Sequence, residues 1–162
     1  MTGTFKELFD RWSLSSLKLN LGFLSLEVNQ NENDKDAAWE LYVELITRIT
    51  TQKLRDGTGD EATALDSVYS LFKTTRSILK EKGRRAPTFS KIAVVVLNQI
   101  IRPFTAFWHR EGLQGAFQDP TKCEQFRDEL SKLQTDLRNY SRLLAELAEV
   151  EDISAICENT DE

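Results

Sequence analysis

The sequence predicts a mainly α-helical protein, a bundle of four principal helices, one kinked by a proline, with a short N-terminal helix and a β-hairpin. The strongest observation is an unbroken apolar seam over 119–150, in which spacings of three and four residues alternate. Broad apolar stripes of helical period also cover 35–53, 60–82 and 86–110. Of the 162 residues, 40% are hydrophobic, so we expect one globular domain with its own core.

The N-terminal helix is predicted from a capping signal. Thr4 is followed three residues later by Glu7, which is typical of a capping box, so we expect a helix from Phe5 to Trp12. Large apolar side chains fall on one face of this segment. Because such a short helix is unstable alone, it must dock onto the rest of the protein.

The β-hairpin is predicted from alternating leucines. Apolar and polar residues alternate over 17–21 and again, out of phase, over 24–28. The phase changes at Gly22, which suits the first position of a two-residue type II′ loop. That register places Lys18 opposite Glu27, a favourable cross-strand pair. One longer strand with a bulge at the glycine is the competing interpretation, and the pairing favours the hairpin.

Helices two and three are separated by a glycine-containing loop. A polar linker at 29–34 precedes helix two, predicted over 35–53 with Trp39 alongside its apolar stripe. The loop follows at 55–59. Helix three is predicted over 60–82, because it begins with an aspartate suited to the N-cap position and is followed by glycine.

Helix four is predicted to open at Ala86-Pro87-Thr88. The stretch 92–97 is apolar almost all round, which indicates a central helix, although a buried strand over 91–97 is the alternative. Helix is favoured because the apolar pattern continues far beyond an ordinary strand length. Pro103 is expected to kink or break this helix near Gln99, since proline lacks the N–H that would bond there.

The last helix is predicted to begin with Asp119 as its N-cap and Pro120 at its first position. Its seam is barely four heptads long, so it suits the bundle's own core better than a docking stripe. We therefore expect 1–30 to hold the N-terminal helix and hairpin, 35–150 the bundle, and 151–162 an acidic, partly disordered tail. The seam comprises Cys123, Phe126, Leu130, Leu133, Leu137, Tyr140, Leu144 and Leu147.

Charge and cysteine content limit the functional classes. The formal net charge of −5 argues against nucleic acid as the main partner, which would need a clustered basic surface. Cys123 and Cys157 are too few for a disulfide framework or a zinc site, so we expect a buried thiol at Cys123 and a reducing, cytoplasmic setting. No apolar run is long enough for a membrane span, and no cofactor or metal motif is present.

Two clusters are candidate sites. Arg102, Trp108, His109 and Arg110 combine cations and aromatic rings beside the proline, a combination that could hold a planar ligand or a carboxylate. A structural role, capping helix carbonyls, is the alternative. Basic side chains that could bind an anion recur near the end of helix three, where a solvated helix face is the alternative. These are Lys73, Arg76, Lys80, Arg84 and Arg85.

The carboxylates of helix two lack the histidine that a metal site in a bundle would need. Glu40 and Glu44, with Arg48, are therefore expected on a solvated face. No catalytic motif is present, so we expect a non-enzymatic interaction or accessory module, self-associating or part of a larger complex, with a protein partner. The alternative is a small-ligand or nucleotide-phosphate binding protein. A third, an enzyme, would use His109 with a nearby carboxylate.

Overall fold

The computed structural model describes residues 3–48, 51, 54, 57 and 60–157. The described chain is mainly α-helical, and its buried apolar residues form one cluster. A five-residue π-helical segment, Leu97–Ile101, joins α5 to α6, and a short 3₁₀ turn precedes α7. The helices are α1 (Phe5–Arg11), α2 (Leu21–Leu24), α3 (Glu32–Ile46), α4 (Glu61–Glu81), α5 (Pro87–Val96), α6 (Arg102–Leu113) and α7 (Pro120–Ala148).

Helix α1 has the predicted capping box. The Thr4 side chain accepts a hydrogen bond from the Glu7 backbone N–H, and Glu7 Oε2 accepts from the Thr4 N–H at 2.7 Å. The helix docks on α7 through two polar contacts, because Arg11 and the Trp12 indole N–H both donate to Glu146. The expectation that so short a helix needs a docking partner is confirmed.

The predicted β-hairpin is wrong, and so is the single bulged strand. No β-strand occurs in the described residues, where the only bridge is an isolated antiparallel pair between Thr4 and Glu27. The position of the expected turn is helical, because the Asn20 side chain accepts from the Phe23 N–H at 2.7 Å and so caps α2. Side-chain capping therefore displaces the type II′ turn.

The leucines of this segment do not share one buried face. Leu21 is 80% exposed and Leu26 is 45% exposed, whereas Leu17 is buried. The backbone of Lys18 pairs with a side chain instead of a strand, because the Gln99 amide accepts from its N–H at 2.8 Å and donates to its carbonyl at 2.9 Å. The alternation of leucines came from an extended segment followed by a helical turn.

Helix α3 begins earlier and ends earlier than predicted. Its N-cap, Asn31, forms a capping box with Asp34, so the expected polar linker contains the start of the helix. The helix ends at Ile46, and Thr47 closes it by donating from Oγ1 to the Val43 carbonyl at 2.7 Å. Residues 49–50 and 52–53 of the predicted helix, and most of the loop at 55–59, lie outside the described residues.

Asp34 is fully buried and links two helix N-termini. Its Oδ2 accepts from the Asn31 N–H at 2.9 Å, and its Oδ1 accepts from the Phe89 N–H of α5 at 2.9 Å. Helix α5 has no side-chain cap of its own, because its N-cap residue is Ala86. One carboxylate therefore caps both α3 and α5.

Helices α4 and α5 begin as predicted. Asp60 caps α4 by accepting from the Thr63 N–H at 2.8 Å, and Pro87 is the first residue of α5. Gly83 follows α4 where a side chain has no room, since a Cβ there would lie 2.4 Å from the Leu79 carbonyl oxygen. The strand alternative for 91–97 is wrong.

The predicted break near Gln99 is a π-helical segment. Leu97–Ile101 lies between α5 and α6, and Pro103, which lacks an N–H, follows it. Helix α6 then continues to Leu113, past the expected loop start at Glu111.

Helix α7 confirms the prediction for the last helix. Asp119 is its N-cap, Pro120 its first residue, and the seam from Phe126 to Leu147 is buried against the rest of the core. Cys123 differs from the expected buried thiol because it is only partly buried. Burial nevertheless raises the pKa of its thiol.

The start of the predicted acidic tail is docked. The Tyr42 hydroxyl donates to Asp152 Oδ1 at 3.0 Å and accepts from the Ile153 N–H at 2.8 Å, and a 3₁₀ turn spans Ser154–Cys157. Residues 158–162 lie outside the described part of the chain. Across the described residues, no helix combines the length and apolarity that crossing a membrane would require.

Candidate functional site

The Trp108 side chain belongs to the core. It is 0% exposed, its indole N–H donates to Glu129 Oε2 of α7 at 2.9 Å, and its ring meets the Phe126 ring edge-on. Trp108 therefore anchors α6 to α7 and is closed to a ligand that approaches from solvent.

Arg102 and His109 lie seven residues apart on α6 and both contact α4. The Arg102 guanidinium carbon is 4.9 Å from the centre of the Phe72 ring, and its Nε donates to Asn98 Oδ1 at 3.0 Å. The His109 ring meets the Tyr69 ring at 4.8 Å and 87°. These two predicted residues therefore share one surface.

Arg110 has different neighbours. It is exposed, and its guanidinium carbon is 5.9 Å from the centre of the Phe107 ring. The four predicted ligand-binding residues therefore divide into a core tryptophan, an α4-facing pair, and an arginine on another part of α6.

The two predicted clusters meet at Phe72. Arg76, from the anion-binding cluster, places its guanidinium carbon 5.5 Å from the same ring centre that Arg102 contacts. The Tyr69 ring lies 5.4 Å from the Phe72 ring. We call the surface formed by Tyr69, Phe72, Arg76, Arg102 and His109 the α4–α6 cationic face.

Among the described residues, no side-chain hydrogen bond, ion pair or ring contact links the other predicted anion-binding residues to this face. Lys80, Arg84 and Arg85 are exposed, and within the described residues their side chains make no hydrogen bond or ion pair. Lys73 lies in a groove between α3 and α4 instead. The five residues of the predicted anion-binding cluster are therefore separated: Arg76 lies on the α4–α6 cationic face, Lys73 lies in the groove, and the other three side chains are exposed to solvent.

The groove between α3 and α4 has a volume of about 640 Å³, and sequence reasoning missed it. Ion pairs cross or flank it, since Lys82 pairs with Glu40 and Arg48 pairs with Glu44. The hydrogen bond from Lys82 to Glu40 raises the pKa of the lysine. We call this the α3–α4 groove; its lining residues are Trp39, Glu40, Val43, Glu44, Arg48, Ser70, Lys73, Thr74, Ser77 and Ile78.

Arg48 joins the two walls of the α3–α4 groove. Its guanidinium donates to Glu44 on its own side and to the Ser70 and Thr74 hydroxyls of α4. The helix-two stripe that was expected to be a solvated face is therefore partly engaged with α4. Trp39, expected beside the core stripe, is 44% exposed at the groove.

A smaller cleft of about 410 Å³ lies between α7 and the start of α6, at the end of the π-helical segment. Its lining includes Ile100, Phe104, Phe107 and Asp136. Burial raises the pKa of the Asp136 carboxyl.

Neither a known protein family, nor a curated protein, nor a solved structure matches the chain. No relative's function can therefore be carried over to it.

The described residues contain no group of three or more histidine, cysteine or acidic side chains that could hold a metal ion. His109 contacts an aromatic ring and, within the described part of the chain, no carboxylate. What the α4–α6 cationic face offers instead is two ordered guanidinium groups beside an exposed tyrosine.

Proposed function

We propose that this protein is a non-enzymatic interaction module, and that the α4–α6 cationic face docks an acidic segment of a partner protein. The observation that carries the proposal is the pair of guanidinium groups, from Arg76 and Arg102, on the single Phe72 ring. Neither group forms an ion pair with any described residue. The cytoplasmic location expected from the cysteine content is part of this proposal.

The aromatic support suits carboxylate recognition. Guanidinium groups are planar donors that can hold a carboxylate by two parallel hydrogen bonds. Packing on Phe72 restricts both side chains before a partner arrives, so less conformational entropy is lost on binding. Nitrogen atoms of Arg102 other than Nε stay available, because the Asn98 contact uses Nε alone.

Exposed aromatic surface adds contact area to the charge. Tyr69 is 50% exposed and is braced by His109 on one side and Phe72 on another. Tyrosine and arginine are the residues most enriched at the energetic centres of protein interfaces. The face therefore suits an acidic segment that also carries an apolar or aromatic side chain.

The face contrasts with the charge of the whole chain. The protein has 26 acidic and 21 basic residues, yet the five residues of this face include two arginines and no acid. Local positive potential steers acidic partners and speeds their association. A second copy of this acidic chain is one source of such a segment, which keeps self-association within the proposal.

Neither the α7 seam nor the leucine-rich segment at 17–28 supports self-association. The α7 seam lies inside the core, and the leucine-rich hairpin does not form. The case for a second copy therefore depends on charge, and sedimentation velocity at low and high salt tests it. Association that weakens as salt is raised is the expected result for a charge-driven dimer.

Fluorescence anisotropy with a labelled glutamate-rich peptide containing one phenylalanine tests the docking itself. The double variant Arg76→Glu/Arg102→Glu should weaken binding by about a hundredfold, as each lost charge-assisted contact is worth about tenfold or more. The matched control is Arg84→Glu/Arg85→Glu, which changes the net charge equally on exposed residues. Equal weakening by both variants would show attraction to net charge alone and contradict a defined face.

A further inference from the structure

We propose that the α3–α4 groove is a second, separate binding site, and that it takes a small molecule combining a planar aromatic ring with an anionic group. The groove lies on the α3 side of α4, and no residue of the α4–α6 cationic face lines it. Its volume of about 640 Å³ falls within the range of about 300–1,000 Å³ that is typical of small-molecule sites.

One part of the groove offers an aromatic surface. Trp39 is 44% exposed, and its ring stacks on the Tyr42 ring with centres 5.7 Å apart and planes 30° apart. Tyr42 is buried and its hydroxyl is fixed by Asp152, so the indole has a rigid support. Val43 and Ile78 add apolar lining beside it. An exposed, braced indole is a suitable platform for another planar ring.

The charges of the groove favour an anion. Glu40 and Glu44 both line it, but each is already paired, with Lys82 and Arg48 respectively. Lys73 is exposed in the same groove and, among the described residues, makes no hydrogen bond or ion pair. Its ammonium group is thus the one lining charge without a partner there, and a phosphate or carboxylate would complement it.

Hydroxyl groups complete the polar side of the site. Ser70 and Thr74 accept from Arg48, which holds them and the guanidinium in place across the groove. Ser77 lines the groove, and its hydroxyl has no hydrogen-bond partner within the described residues. A ligand whose ring stacks on Trp39 therefore meets Lys73 and a hydroxyl donor for its anionic group.

Saturation-transfer NMR and calorimetry with 2-naphthyl phosphate test this site. The probe should bind. 2-Naphthol has the aromatic ring without the phosphate, and inorganic phosphate has the anion without the ring, so the affinity of each should be lower than that of the probe by about tenfold or more. Lys73→Gln and Trp39→Ala should each weaken binding of the probe about tenfold, which corresponds to about 1.4 kcal/mol. Circular dichroism confirms that each variant is folded.

Matched controls come from the same region. Lys80→Gln removes another exposed lysine of α4, and Tyr69→Ala removes an exposed aromatic ring, yet neither residue lines the groove. Both variants should bind the probe as the unaltered protein does, as should Arg76→Glu/Arg102→Glu. Lack of probe binding, equal binding of 2-naphthol, or unchanged affinity in Lys73→Gln would each overturn the proposal, independently of the acidic-peptide result.

Discussion

Replacing Asp34 by asparagine alters a single buried carboxylate whose two oxygens serve two helices. The carboxylate is fully buried, and its two oxygens each accept a backbone N–H at 2.9 Å, one from Asn31 and one from Phe89. An amide keeps only one acceptor oxygen, so its NH₂ group must face one of these two donors. One buried N–H therefore loses its partner, and the negative charge at both helix N-termini is lost.

The expected loss of stability follows from these two terms. A hydrogen bond to a charged group contributes about 1.5–3 kcal/mol when buried, and a charge at a helix N-terminus about 0.3–1 kcal/mol per helix. We therefore expect Asp34→Asn to lower the free energy of unfolding by about 2–5 kcal/mol. For a chain of this length, that corresponds to a fall in Tm of roughly 4–20 °C.

Urea unfolding followed by circular dichroism measures this change. Asp36→Asn is the matched control, because Asp36 is exposed on the same helix, and its replacement should change stability by no more than about 0.5 kcal/mol. A loss from Asp34→Asn as small as that of the control would refute the inference that one carboxylate caps both helices.

Further predictions concern the turns and the docked C-terminal segment. Gly22→Ala should change stability by no more than about 1 kcal/mol, since the gain from alanine in the helical turn α2 is offset by its Cβ, which would lie 3.3 Å from the Asn20 Oδ1 that caps the turn; a larger loss in thermal melting would contradict the helical conformation at Gly22. Gly83→Ala should lower stability by about 1–3 kcal/mol, because its Cβ would lie 2.4 Å from the Leu79 carbonyl oxygen and 2.9 Å from Ser90 Oγ; unchanged urea unfolding would contradict that close approach. Burial opposes ionisation of Asp152, but bonds from Ser154 and Tyr42 and the charge of Arg142 outweigh it and lower the pKa of its carboxyl. The contribution of Asp152 to stability is therefore present above an unfolded pKa of about 3.9 and is lost as pH falls through the lower folded value. The protection factor of the Ile153 amide against hydrogen exchange should fall over that acidic range, and an unchanged protection factor would contradict the expected release.

The elements that were predicted correctly from the sequence are those whose start or period is determined by residues close together in the chain. Thr4 with Glu7, and Asp119 with Pro120, specify helix starts through groups within three residues of each other, and both starts are confirmed. The α7 seam was predictable because its period alone defines a buried stripe. The break near Gln99 followed from the missing N–H of Pro103.

The prediction of a hairpin was wrong because of an interaction between residues close together in the chain. Alternating leucines are compatible with any extended segment, and the side chain of Asn20 decided the outcome by capping a helical turn. Asn31 and Asp34 were also capping residues, but within a run of polar residues they resembled a linker. The second bond of Asp34, to Phe89, joins residues 55 positions apart and has no sequence signature.

The candidate site was predicted in pieces. Arg76 and Arg102 were both singled out, in separate clusters, but their meeting on Phe72 depends on the packing of α4 against α6. The α3–α4 groove was missed because its walls belong to two helices whose pairing the periodicity did not reveal. Trp108 was placed in a ligand site, although its apolar spacing with Phe104 and Phe107 equally indicated the core.

Chemical-shift mapping with the acidic peptide tests the proposed docking surface most directly. In ¹H–¹⁵N spectra of the full chain, we expect saturable shifts at Tyr69, Arg76, Arg102 and His109, including the Arg102 side-chain Nε signal. The exposed arginines Arg84 and Arg85 should be unaffected. Shifts spread evenly over basic residues, or confined to another surface, would contradict the claim that the α4–α6 cationic face is where this protein meets its partner.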